Sequence, residues 1–208
     1  MTGYHDYLIV LSPSLSVAKS VESAKNLCFK KIGEYNSHYA KAHITIQRWP
    51  RKRQEWIEPM IPKLERELKS LPPVLLDIDG FDFFDHQTNP TIYAKLNSTP
   101  LTQVWFKHLR RFFSKPDFEP HITIARSIPN EDFFKIWPYF KHSVWNEPFK
   151  VDKLTILRRE MIGHDKSYKL FKEIAFNSRL NFYDFANSRL KAPILSLNKV
   201  NSQQINLF

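Results

Sequence analysis

Tyr4 to Leu11 is the first strand-like stretch, and Ser12-Pro13 after it supplies a cap and a proline suited to a helix start. Leu15, Ala18, Val21, Ala24, Cys28 and Ile32 come next at helical intervals and predict a helix over roughly 14–35. Ala42 to Trp49 alternates as a strand ending at Pro50. Ile57, Met60, Ile61, Leu64 and Leu68 then mark a helix whose start Pro59 and Pro62 leave open. Val74 to Phe84 and Thr91 to Leu96 predict two strands joined by a polar turn. Leu101, Val104, Trp105, His108 and Phe112 share one helical face, Pro120 to Ala125 repeats the strand pattern, and Pro129-Asn130-Glu131 opens a helix interrupted near Pro138. Two strands, at about 149–159 and 168–176, close the pattern.

This order predicts an α+β fold built from duplicated strand and helix units. Residues 1–177 read as one two-lobed domain. Residues 178–208, rich in asparagine and with Asp184 as the one acid, read as a C-terminal extension that wraps the domain or stays partly mobile.

With 42% hydrophobic residues and 25% charged ones, 208 residues suit a folded soluble domain. Four glycines, at 3, 33, 80 and 163, are too far apart for a phosphate-cradling loop, which excludes dinucleotide folds and P-loops. The single Cys28 sits among apolar positions at helical spacing and reads as a buried, inert thiol. No leader or membrane-spanning run is found, and the expected setting is cytoplasmic, with no membrane partner.

Lys and Arg outnumber Asp and Glu 31 to 21, a net charge of +10 that favours polyanions as partners. The basic residues cluster at 41–53, at 107–115 and at 150–172. Asp77, Asp79, Asp82 and Asp85 lie apart from them, and their spacing lacks the Gly and distal Glu of a calcium loop. Phe81, Phe83 and Phe84 offer stacking surfaces, with core packing expected for at least two of them.

A duplicated six-residue pattern carries the chemistry. His43-Ile44-Thr45-Ile46-Gln47-Arg48 and His121-Ile122-Thr123-Ile124-Ala125-Arg126 agree at five positions of six. Strand alternation sends His43 and Thr45 to one face and Ile44 and Ile46 to the other, and the second copy does the same. Isoleucines want a core, so each His-Thr pair faces outward or into a cleft. An approximate two-fold would bring both pairs to one groove. There a neutral imidazole can take a proton from an attacking water or hydroxyl while a protonated one gives a proton to a departing oxygen. The threonine hydroxyls can hold non-bridging phosphate oxygens, and the scheme asks for no metal and no cofactor. Lys41 shares the face of His43, whereas Arg48 and Arg126 fall on the opposite parity unless the strand ends there; Arg126 and Lys41 are candidate phosphate contacts.

The two H-x-T-x strands resemble the signature of the two-histidine phosphoesterase superfamily, in particular its RNA 2′,5′-ligase-like or 2′,3′-cyclic phosphodiesterase branch. The resemblance spans roughly residues 4–177. It implies a bilobal fold with two small, mainly antiparallel sheets around a central groove. It also implies opening of RNA 2′,3′-cyclic phosphate ends to 2′-phosphates, sometimes with reversible 2′,5′-ligation. His43 and His121 match the family's catalytic positions, and Thr45 and Thr123 its phosphate-binding ones. The expected partner is RNA or a small cyclic-phosphate nucleotide, and the expected state is a monomer. Two other readings use the same residues: an RNA-binding protein without turnover, and a metallohydrolase, which would need a third ligand beside the histidines.

Overall fold

A computed structural model describes residues 3–86, 88–113, 119–162 and 167–177. The basic residues Lys115 and Lys166 and the extension at 178–208 lie outside the described residues.

Ser14 caps the first helix by accepting the Val17 N–H, and Gly33, at φ 78°, ends it in a conformation that side-chain-bearing residues rarely adopt. That helix, α1 (Leu15–Ile32), lies between β1 (Tyr4–Leu11) and β2 (Ile44–Arg53). The two prolines that obscured the next helix divide it: a short turn α2 (Gln54–Ile57), a 3₁₀ turn at Glu58–Met60, then α3 (Ile61–Leu68) with Ile61, Leu64 and Leu68 buried. Strands β3 (Val74–Phe84) and β4 (Thr91–Leu96) lead into α4 (Pro100–Arg110), which opens with a reciprocal Thr99–Thr102 capping box. After β5 (His121–Ala125) comes α5 (Asn130–Lys141), which runs on through Pro138. Pro138 is exposed, so water can serve the carbonyl it leaves without a partner.

The predicted strand at 149–159 is in fact two strands, β6 (Asn146–Val151) and β7 (Lys153–Glu160), which part at Asp152. β6 pairs with β3, whereas β7 pairs with β1 and with the last strand, β8 (Lys169–Ala175). Continuous alternation hid this break, because a chain that changes neighbours without turning back needs no Gly or Pro.

Among the described residues eight strands form one sheet in the order β6-β3-β4-β5-β2-β1-β7-β8, with every pairing antiparallel. The expectation of two small sheets is corrected here. The halves β6-β3-β4-β5 and β2-β1-β7-β8 meet at a single pair, Ile44 opposite Ile122, at the centre of the two repeated motifs. The duplication is visible in β1-α1-β2 and β4-α4-β5, each an antiparallel strand pair joined through a helix. Ile44, Ile46, Ile122 and Ile124 are at most 1% exposed and share a core with Val17, Val21 and Cys28 of α1. Burial pushes the Cys28 thiol up to about 12, as an inert core residue requires. α1 also packs on β5 and α5, so a helix of one half covers part of the other.

Candidate active site

The Ile44–Ile122 pair dictates which side chains stand above it. In an antiparallel register centred there, Thr45 comes opposite His121 and His43 comes opposite Thr123, all four on the face away from the isoleucines. Directly opposed residues have Cβ atoms about 5 Å apart, and diagonal ones, here His43 and His121, about 7–8 Å. A tetrahedral phosphate fits between two imidazoles at that spacing.

Each histidine is held in the same way. The Nδ1–H of His43 donates to the Lys41 carbonyl at 2.7 Å, and that of His121 donates to the Glu119 carbonyl, also at 2.7 Å. A carbonyl only accepts, so it fixes the proton on Nδ1 and leaves Nε2 as the working nitrogen of both rings. Burial, and then the nearby Arg126 guanidinium, hold both imidazoles below the ordinary histidine range, and for His43 the Lys25 and Arg48 cations act in the same direction.

Both arginines of the repeat reach the groove: β5 ends at Ala125, just before Arg126, β2 runs on past Arg48, and a bulge precedes each of them. The β1–β2 ladder pairs Val10 with Thr45 but Ile9 with Gln47, so Ile46 is an extra residue in β2. The β4–β5 ladder pairs Tyr93 with Thr123 but Ile92 with Ala125, so Ile124 is the extra residue there. A bulge at the same place in both motifs reverses the facing of the residues beyond it. Arg48 and Arg126 line the same cavity of about 930 Å³ as Thr45, His121, Thr123 and Arg110. His43 is not part of that cavity's wall; the register sets it one pair further along the seam, beside Thr123.

Lys41 is exposed and does not line the cavity, and its contribution to the site is its carbonyl oxygen. Phe81 and Phe83 pack against Phe140, Trp145, Phe133 and Trp137, whereas Phe84 lines the cavity, stacks on Tyr93 at 4.2 Å and meets His121 edge-on at 4.9 Å. Tyr93 in turn donates its hydroxyl to Glu119.

Sequence reading missed Lys25 and Ser37. Lys25 is 4% exposed, and its ammonium donates to the Ser37 and Ala40 carbonyls at 2.8 and 2.6 Å, fixing the loop that delivers Lys41 and His43. The Ser37 hydroxyl accepts the Arg126 N–H at 2.9 Å and donates to the Ile124 carbonyl, which ties the same loop to the end of β5. Burial, with Arg126 adding to it, pulls the Lys25 ammonium down to about 8. A lysine on an apolar helical stripe was the available signal.

Among the described residues no group of three or more His, Cys, Asp or Glu side chains is placed to hold a metal. Asp79 pairs instead with Lys95, and the Asp82 carboxylate accepts the Phe83 N–H. No helix of the described residues is long and apolar enough to cross a membrane.

An α+β fold of this topology, with two H-x-T strands meeting at its centre, defines a phosphoesterase of the two-histidine class. The chain matches the 2′-5′ RNA ligase superfamily over residues 13–162 and belongs to that family. It is 28% identical over 143 residues to a Geobacillus kaustophilus protein named "Putative phosphoesterase GK0864", covering 66% of this chain and 82% of that one. A Geobacillus thermodenitrificans protein of the same description is 29% identical over 141 residues, 65% of this chain and 77% of the relative. The fold is similar to that of TT0787 of Thermus thermophilus, with a TM-score of 0.60 and 15% identity over 84% of this chain and all of the other. It is also similar to that of E. coli LigT complexed with 3′-AMP, with a TM-score of 0.59 and 13% identity over 83% and 98% of the two chains.

Proposed function

We propose that the protein opens RNA 2′,3′-cyclic phosphate ends, or cleaves 2′,5′-linked phosphodiesters, by two-histidine acid–base catalysis. The observation that carries this reading is the single Ile44–Ile122 pair, which sets His43, Thr45, His121 and Thr123 side by side with equivalent Nδ1 anchors. One neutral Nε2 takes a proton from water as the hydroxide oxygen bonds to phosphorus. The P–O bond on the far side breaks, and the departing ribose oxygen takes the proton of the other histidine's Nε2. Thr45 and Thr123 donate to the non-bridging oxygens, while Arg126 and Arg48 balance their charge. Both rings lean to the neutral form in the protein alone, and the anionic phosphate offsets the arginines and raises the pKa of the histidine that acts as acid.

An RNA oligomer ending in a 2′,3′-cyclic phosphate, incubated with and without chelator, tests this. Conversion to the 2′-phosphate at equal rate in both is expected. Binding without product would mean an RNA-binding module, and loss of turnover in chelator a metallohydrolase.

A further inference from the structure

Three groups of basic residues differ in what they face. At 150–172, Lys153, Arg158, Arg159 and Lys172 pair with Glu173, Glu58, Asp6 and Glu65. Arg48, Arg110 and Arg126 line the groove. Arg51, Lys52 and Arg53 do neither: no described carboxylate forms an ion pair with them, and β2 carries them about 25 Å from His43, at roughly 3.3 Å per residue.

At that far end the chain is built with care. Arg51 has φ 48°, a left-handed conformation that residues other than glycine rarely adopt. Its N–H is held by Asp6 Oδ1 at 2.9 Å, while Asp6 Oδ2 accepts both Nε and a terminal nitrogen of Arg159 at 2.9 and 2.7 Å. His5 pairs with Lys52 but Tyr7 with Trp49, so β2 bulges at this point, and Asp6 holds the bulge in place. Beside it the Arg53 guanidinium lies 5.5 Å from the ring of Tyr4 and 5.6 Å from that of Trp56, and its Nε donates to the Tyr4 hydroxyl. Trp56 is 62% exposed and Ile162 81%, and a concavity of about 420 Å³ opens between Tyr4, Arg51, Met161 and Ile162.

Cations with no carboxylate ion pair, interleaved with exposed rings, are what a single-stranded nucleic acid needs: positive charge to neutralise its phosphates and flat faces for its bases. We propose that Tyr4, Arg51, Lys52, Arg53, Trp56 and Ile162 form a second binding surface, which takes the single-stranded RNA flanking the phosphate held in the groove. This rests on the reading of the groove as a site for RNA phosphodiesters. The competing role of these cations is to guard the edge of β2, which among the described residues pairs with β5 only at Ile44, against association with another chain.

The full chain is compared with Arg51→Gln/Lys52→Gln/Arg53→Gln and with Trp56→Ala, each checked for folding by circular dichroism. The probes are a fluorescent single-stranded RNA of about ten nucleotides ending in a 2′,3′-cyclic phosphate, a 2′,3′-cyclic mononucleotide and anionic phospholipid vesicles. The triple variant is expected to bind the oligomer at least 10-fold more weakly, with a salt slope smaller by about 2. Trp56→Ala is expected to weaken it about 5-fold or more. Turnover of the mononucleotide stays within twofold of wild type. Unchanged oligomer affinity overturns the proposal, whether the triple variant stays monomeric, self-associates as an unguarded edge would, or loses only vesicle binding. Equal losses on oligomer and mononucleotide also overturn it. If the wild-type protein turns over neither substrate, the catalytic reading fails, yet the oligomer titration still decides the surface.

Discussion

At the scale of the residue, the site depends on where protons sit. Both histidines lie below the ordinary value of 6.5, so the population with one ring neutral and the other protonated peaks on the acid side of that value. The kcat/KM profile is accordingly expected to be a bell with its maximum below pH 6.5, and a maximum well above 7 would show that the groove does not have the electrostatics described. Lys25 contributes to this. Replacing it with methionine leaves the Ser37 and Ala40 carbonyls without their donor and removes a cation that depresses His43. We expect Lys25→Met to lose about 1–3 kcal/mol of stability in chemical denaturation. The His43 titration, followed by NMR, should move upward; a His43 pKa unmoved in the folded variant would leave Lys25 with packing alone. The His-Thr pairs were legible in the sequence because a repeat shows itself without structure. Lys25 shows in the sequence only as a lysine on the apolar stripe of its helix, and its partners do not show at all, because carbonyls of a distant loop, like the Ser37 hydroxyl, leave no local pattern.

Elements decide which side chains the groove receives. Alternation was enough to place His43, Thr45, His121 and Thr123 on one face; it failed for Arg48, where a bulge at Ile46 reverses the parity, whereas Arg126 follows the end of β5 at Ala125, the exception the sequence left open. A bulge made of an ordinary isoleucine carries no glycine to announce it. The break at Asp152 was hidden for a related reason, since β6 and β7 share one alternating pattern while pairing with β3 and β1 in different halves. Arg126→Gln is therefore expected to lower kcat/KM by about 10–10³-fold, as loss of a groove donor should. It should also raise the pKa of both histidines, which Arg126 now depresses. Lys41→Gln keeps the carbonyl that anchors His43 and is expected to stay within about threefold of wild type. Comparable losses in the two variants, in steady-state kinetics, would return Lys41 to the phosphate site.

For the whole molecule the decisive feature is the seam. Two four-stranded halves, each with its own H-x-T strand, share one residue pair, and α1 of one half packs on β5 of the other. That the halves were related could be seen in the sequence; that their sheets fuse could not, because one bridging pair leaves no trace in hydrophobic pattern. Ile44→Ala, at 0% exposure, should cost about 2–5 kcal/mol and loosen the alignment of both histidines together. If each half supplies one member of an acid–base pair, neither works alone. The most direct test is turnover of an RNA 2′,3′-cyclic phosphate end by the wild-type protein, His43→Ala, His121→Ala and the double variant, all with native circular dichroism. The single variants should each lose nearly all activity, at least about 10²-fold, and the double variant little more than either. A folded single variant that retains full rate, or losses that multiply in the double variant, would contradict a paired-histidine mechanism.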